Sequence, residues 1–146
     1  MFLLDTDVLS LLRRPDRHPA PARWLQSQRP ADVFISVVTL AEMERGLAQQ
    51  KRRDPAFARD LAAWMEQTSI SFADRIIGVD PATARHWGRM SGDIGHFNVD
   101  LLIAATALVH GLTVVTRNVR HFEPTGVRVL NPFGDDENLE ESPGGA

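Results

Sequence analysis

Apolar residues in this chain come in short runs, separated by longer stretches in which they recur every three or four positions. The short runs predict buried strands and the periodic stretches predict helices. Phe2-Leu3-Leu4 reads as a strand that stops at the acidic turn Asp5-Thr6-Asp7, followed by a short helix from Val8 to Arg14. Pro15, Pro19 and Pro21 bracket a loop, and a helix follows from about Ala22 to Gln28, with Trp24 and Leu25 on its apolar side. Val33 to Val37 is apolar and β-branched, as a second buried strand would be. Thr39 and Glu42 have the spacing of a capping box, which predicts a helix opening there and running to about Gln50. Asp54-Pro55 and Asp80-Pro81 each place proline behind an acidic cap, predicting helices to about Glu66 and Met90. Arg75 to Val79 is a third strand, and Ser91 to Phe97, with Gly92 and Gly95, reads as a loop that could carry Asp93 towards a site. Val99 to His110 is a strongly apolar helix ended by Gly111, and Leu112–Val115 and Val127–Leu130 complete the strands.

Strands alternating with helices predict an α/β sandwich: one domain over residues 1–134, with a central, mostly parallel sheet of about five strands. Residues 135–146 read as an acidic, disordered tail. That tail alters the charge balance. The chain has a formal net charge of −3, but five of its 19 acids lie in the tail, leaving the body with 16 bases against 14 acids. Lys51 is the only lysine, so the basic side is arginine. A weakly basic, arginine-rich body is compatible with a polyanionic partner. The absence of cysteine excludes disulfides, thiol catalysis and cysteine-based zinc sites. The apolar start is interrupted at Asp5, too early for a signal peptide, and no run approaches a membrane span, so the expected location is cytoplasmic.

In parallel α/β folds ligands gather beyond the carboxyl ends of the strands. Asp5, Glu42 and Asp100 fall on that edge by pattern, and the Thr116-Arg117-Asn118 turn follows the fourth strand. Each acid also has a plain explanation. First-turn carboxylates are favoured by the helix dipole, by about 0.3–1 kcal/mol, and Glu42 fits as the third residue of its capping box. Convergence would change that reading, because like charges brought together raise their pKa values or recruit a cation. An oxygen-only set suits Mg²⁺ or Mn²⁺.

Leu3 to Val8, Ile35 to Glu42, Asp100 to Ala107 and Leu112 to Phe122 occur in the order and spacing of PIN domains. The chain most closely resembles the VapC/FitB-like toxins of type II toxin–antitoxin pairs, over about residues 2–133. The resemblance implies a PIN-like α/β/α sandwich and a Mg²⁺-dependent endoribonuclease, a homodimer that joins a cognate antitoxin in a heterotetramer or larger assembly. The family's acids map onto Asp5, Glu42 and Asp100. Asp5 and Asp100 would ligate the ion, and Glu42 would ligate it or orient a water for in-line attack on a phosphodiester. The family often supplies a fourth acid where this chain has Asn118 or His121. Asn118 accepts a hydrogen bond without adding charge, His121 could contact phosphate or relay a proton, and a weaker second-metal site follows. Asp7, where the family has Asn, reads first as the N-cap of the short helix and second as a residue at the outer edge of the site.

Thr6, Ser36, Thr39 and Thr116 are hydroxyls placed to support the site, with turn or cap roles as the alternative, and Arg117 and Arg120 flank its turn as candidate phosphate contacts. Arg45, Lys51, Arg52, Arg53 and Arg59 read mainly as solvated helix faces. His18, His86, His96 and His110 show no metal-ligand spacing, and Trp24, Trp64 and Trp87 read as core or interface. Leu11, Leu12 and the stretch from Phe57 to Trp64 are candidates for antitoxin docking. Two rivals remain: a PIN-like module that binds RNA or antitoxin without cutting, and a haloacid-dehalogenase-like phosphatase, suggested by Asp5-Thr6-Asp7, which would need a lysine beyond the sheet.

Overall fold

A computed structural model describes residues 1–134; the tail expected at 135–146 lies outside the described residues. Five strands, β1 (Phe2–Leu4), β2 (Val33–Ser36), β3 (Ile76–Ile77), β4 (Thr113–Val115) and β5 (Val129–Leu130), form one sheet in the order β3-β2-β1-β4-β5. Every pairing is parallel. The first strand is therefore central, and the strand order reverses beside it, between β1 and β4. Such a reversal opens a crevice at the carboxyl edge of the sheet.

The helices are α1 (Thr6–Leu11), α2 (Pro19–Gln26), α3 (Val37–Arg53), α4 (Pro55–Ser71), α5 (Pro81–Ile94), α6 (Val99–His110) and α7 (Val119–Phe122). Successive strand residues face opposite sides, so each strand feeds two cores. Leu3 and Val114 pack with α5 and α6, whereas Leu4, Val33, Ile35 and Val115 pack with α1, α3 and α4. Seven consecutive residues of α6, Leu101 to Ala107, are buried, and the alanines among them let the helix lie close to the sheet. Trp24 packs edge-on against Phe2, as a core residue should.

Several boundaries differ from the sequence reading. The first helix begins at Thr6 and ends at Leu11, because Asp5 rather than Asp7 caps it, its carboxylate accepting from the Thr6 amide at 2.9 Å. The second starts at Pro19, where proline occupies a first-turn position whose N–H would be unpaired. Helix α3 opens at Val37, capped by buried Ser36, so Thr39 and Glu42 lie inside it and form no capping box. Helices α4 and α5 run on to Ser71 and Ile94, and Asp93 belongs to the last turn of α5 rather than a loop. The real stop is Gly95, whose φ of 102° suits glycine alone. No helix among the described residues is long and apolar enough to cross a membrane.

Candidate active site

Asp5 stands at the carboxyl end of β1, where the strand order reverses. Its amide donates to the Val115 carbonyl at 2.9 Å, extending the β1–β4 pairing one residue beyond the strand. Its carboxylate accepts from the Thr116 hydroxyl at 2.8 Å, and the Thr116 oxygen in turn accepts from the Asn118 amide at 3.0 Å. Thr116 is fully buried and Asp5 is 5% exposed, so this pair locks the ends of β1 and β4 together inside the protein.

Burial pushes the Asp5 carboxyl up to about 8, and the nearby charges of Asp7 and, less strongly, Asp100 push the same way against the opposing Thr116 hydrogen bond. Asp7 is raised by burial too, relieved by a hydrogen bond shared with Asp5, by the Val8 amide and by Arg117. Asn118 Nδ2 donates to Asp7 at 3.1 Å. Asp7 thus belongs to the site as a partner of both Asp5 and Asn118. The cap role read first for Asp7 falls to Asp5 instead, and its contacts accord with the second reading, at the edge of the site.

Glu42 lies in the second turn of α3 and reaches the site through α1. The Thr6 hydroxyl donates to Glu42 Oε1 at 2.6 Å, leaving buried Thr39 to donate to Thr6 across 3.0 Å. Asp100, in the first turn of α6, lies 3.2 Å from the Nδ1 of His121 on α7. Asp7 and Asp100 are therefore close enough to act on Asp5, whereas Glu42 is tied to it only through the neighbouring Thr6. Among the described residues no three His, Cys, Asp or Glu side chains stand as a ready metal-holding group. The donor chemistry nonetheless fits a hard cation: the acids offer carboxylate oxygens, and one is buried where like charges already oppose its ionisation.

The remaining candidates separate clearly. Thr6 and Thr116 hold acids, whereas Ser36 Oγ accepts from the Val38 amide at 3.0 Å and is a cap. The Arg117 guanidinium sits 5.3 Å above the Phe133 ring, and Arg120 is exposed on α7. Lys51 is exposed near the end of α3, 14 residues along from its start and so roughly 20 Å from the sheet edge. The phosphatase reading needs that lysine in the site and fails on this distance.

Three comparisons bear on this arrangement. The model of the PIN domain family matches residues 2–126. A VapC ribonuclease of Sinorhizobium fredii, Y4jK, is 32% identical, the match covering 91% of this chain and 98% of that protein. The crystal structure of FitAcB from Neisseria gonorrhoeae superposes with a TM-score of 0.81 at 33% identity, over 92% of this chain and 100% of that one. A shorter match of 65 residues is 45% identical to the ribonuclease VapC14 of Mycobacterium tuberculosis, spanning 63% of that protein's length.

Proposed function

The chain belongs to the PIN-domain family, and from that premise we propose that it is a metal-dependent endoribonuclease, the toxin of a type II toxin–antitoxin pair. The observation that carries the reading is Asp5. A carboxylate is buried at the reversal of strand order, fixed by Thr116 and set against Asp7 and Asp100. Simple stability would disfavour that arrangement, and a cation-dependent site would use it.

Asp5 and Asp100 would hold Mg²⁺ or Mn²⁺, with Glu42 as a third ligand or the residue that orients a water. A bound ion would supply an activated water and offset negative charge on the phosphoryl oxygens. The protein's own groups do the rest. Thr116 keeps Asp5 oriented, Thr6 sets the direction of Glu42, and Asn118 holds Asp7 beside Asp5. His121, exposed and 3.2 Å from Asp100, would contact phosphate or relay a proton. Arg120 offers positive charge to the RNA backbone.

Partner chemistry follows the relatives, one of which is solved as FitAB bound to a DNA fragment. A groove of about 250 Å³ runs between α1, α2 and α4, lined by Leu9, Leu12, Leu25, Trp64, Thr68 and Phe72, among others. It suits the apolar face of an antitoxin helix. Of the docking candidates, Leu12 and Trp64 line this groove, whereas Leu11 is outside the lining and Phe57 is covered by Arg13, 4.8 Å from its ring. In the cell we expect a homodimer that assembles further with its antitoxin.

The test is cleavage of RNA by the purified chain. Cutting should require Mg²⁺ or Mn²⁺, stop on chelation, and disappear in both Asp5→Asn and Asp100→Asn. Binding of RNA with no cutting under any divalent ion would favour the non-cleaving module, the reading that Asn118 in place of a fourth acid keeps open.

A further inference from the structure

Among the described residues Phe97 is the one strongly exposed Phe or Trp side chain, at 64%, and it lies three residues before Asp100. That spacing keeps it within roughly 10 Å of the site along the chain. A single exposed apolar residue is ordinary and needs no explanation. The mounting of this one is different. Trp87, on α5, stacks under one face of the Phe97 ring, with centroids 3.8 Å apart and planes 22° from parallel. The Trp87 indole Nε1 donates to the Asn98 carbonyl at 3.2 Å. The Asn98 side chain caps α6 by accepting from the Leu101 amide at 3.1 Å. The stacked pair is thus pinned to the cap of the helix that presents Asp100. Trp87 packs against the core beneath it, as the sequence predicts, and its outer side supports the Phe97 ring.

We propose that Phe97, backed by Trp87, is a stacking platform for one unpaired nucleobase of the RNA whose backbone is cut at the adjacent acids. The proposal rests on the ribonuclease reading and names what that site selects. Every base has a π-face, so such a platform tolerates sequence but demands a base that is free to leave its neighbours. Bases inside a duplex are already stacked, which directs the enzyme to loops and single strands. Val99, 41% exposed, extends the apolar edge towards Asp100. Arg120 and His121, on a helix packed against α6, lie on the side where the phosphates would run.

The experiment measures binding by anisotropy in EDTA, so that nothing is cut. The probes are a labelled short oligoadenylate, the same strand paired in a duplex, and an abasic ribose-phosphate strand of equal length. The native chain should prefer oligoadenylate to the abasic strand. Phe97→Ala should weaken oligoadenylate binding about 5- to 100-fold, leave the other two unchanged, and be rescued by Phe97→Trp. Equal weakening on all three probes, or none on oligoadenylate, overturns the platform. A Phe97→Ala chain that changes oligomeric state in ultracentrifugation but binds oligoadenylate normally overturns it in favour of a contact between copies. A native chain that cuts RNA yet binds oligoadenylate and abasic strand alike overturns the platform alone. A chain that cuts no RNA overturns the parent reading as well.

Discussion

On one face of the sheet α6 buries seven residues in succession, whereas the longer α3 buries only four, Val38 against the α6 core, Met43 and Leu47 in the opposite one, and Thr39 beside Thr6. The first face is close-packed through small residues, with Ala104, Ala105 and Ala107 wholly inaccessible. The second is grooved. Besides the hollow at α1, α2 and α4, a cleft of about 390 Å³ separates α3 from α4, lined by Leu47, Met65, Ile70 and the acids Glu44 and Glu66. The site draws on both sides, taking Asp100 from the dense half and Thr6 and Glu42 from the grooved half, with Asp5 between them. A half that cannot shift holds its acid in place. A half with room beside it can accept a partner without rebuilding its core.

The contrast can be broken by experiment, most forcefully in the dense half. Ile103→Ala should cost about 2–5 kcal/mol in urea unfolding, because α6 has no space in which to close the cavity. A loss near zero would mean that this half is as loose as the other. Next in size is the effect of pH on metal-free protein. Asp5 has a folded pKa of about 8, above its ordinary value of 3.8, so the folded chain keeps a proton there that the unfolded chain releases above about pH 4. Raising pH from about 4 to about 8 should therefore lower stability by a few kcal/mol, and Asp5→Asn should flatten that slope. Thermal melts in EDTA across the range would show it, and parallel curves for the two proteins would refute it.

In the grooved half Leu12→Ala should cost only about 1 kcal/mol of stability, while weakening antitoxin binding about tenfold or more in calorimetry. A stability loss as large as that of Ile103→Ala would erase the distinction. Smallest of all should be Asn118→Asp. It replaces the hydrogen bond to Asp7 with a like charge, lowering metal-free stability by about 1 kcal/mol and reducing the Mg²⁺ needed for activity. Unchanged melts and unchanged metal titrations would remove Asn118 from the site.

Strands were legible because short apolar runs bounded by polar turns have few other uses. Asp5 and Asp100 were legible for a related reason, since each ends or begins such a run. Helix limits were less so. Gly92 and Gly95 argued for an early end to α5, but packing against α6 carries the helix through the first and only the second stops it. Thr39 and Glu42 imitated a capping box so well that the true cap, Ser36, was masked by its place at the end of a strand. The unread part of the site consists of contacts across long separations: Thr6 to Glu42, Asn118 to Asp7, His121 to Asp100. No local pattern encodes these, because the sheet order creates them. The same holds for the stacking of Trp87 on Phe97: the core position of one and the loop position of the other were legible, but not that they meet.

The central place of β1 has a consequence for the order of synthesis. Asp5 is among the first residues made, but the strand that pairs beside it and the hydroxyl that fixes it arrive 111 positions later, at Thr116. At about 5–20 residues per second, the ribosome takes roughly 6–20 s to cover that interval. Throughout it the first strand lacks one of its two neighbours and the acid lacks its anchor. A chain stalled or truncated before β4 has no site. For an enzyme proposed to destroy RNA, the topology postpones the hazard until translation of the fold is nearly complete, when a partner helix can already meet the groove.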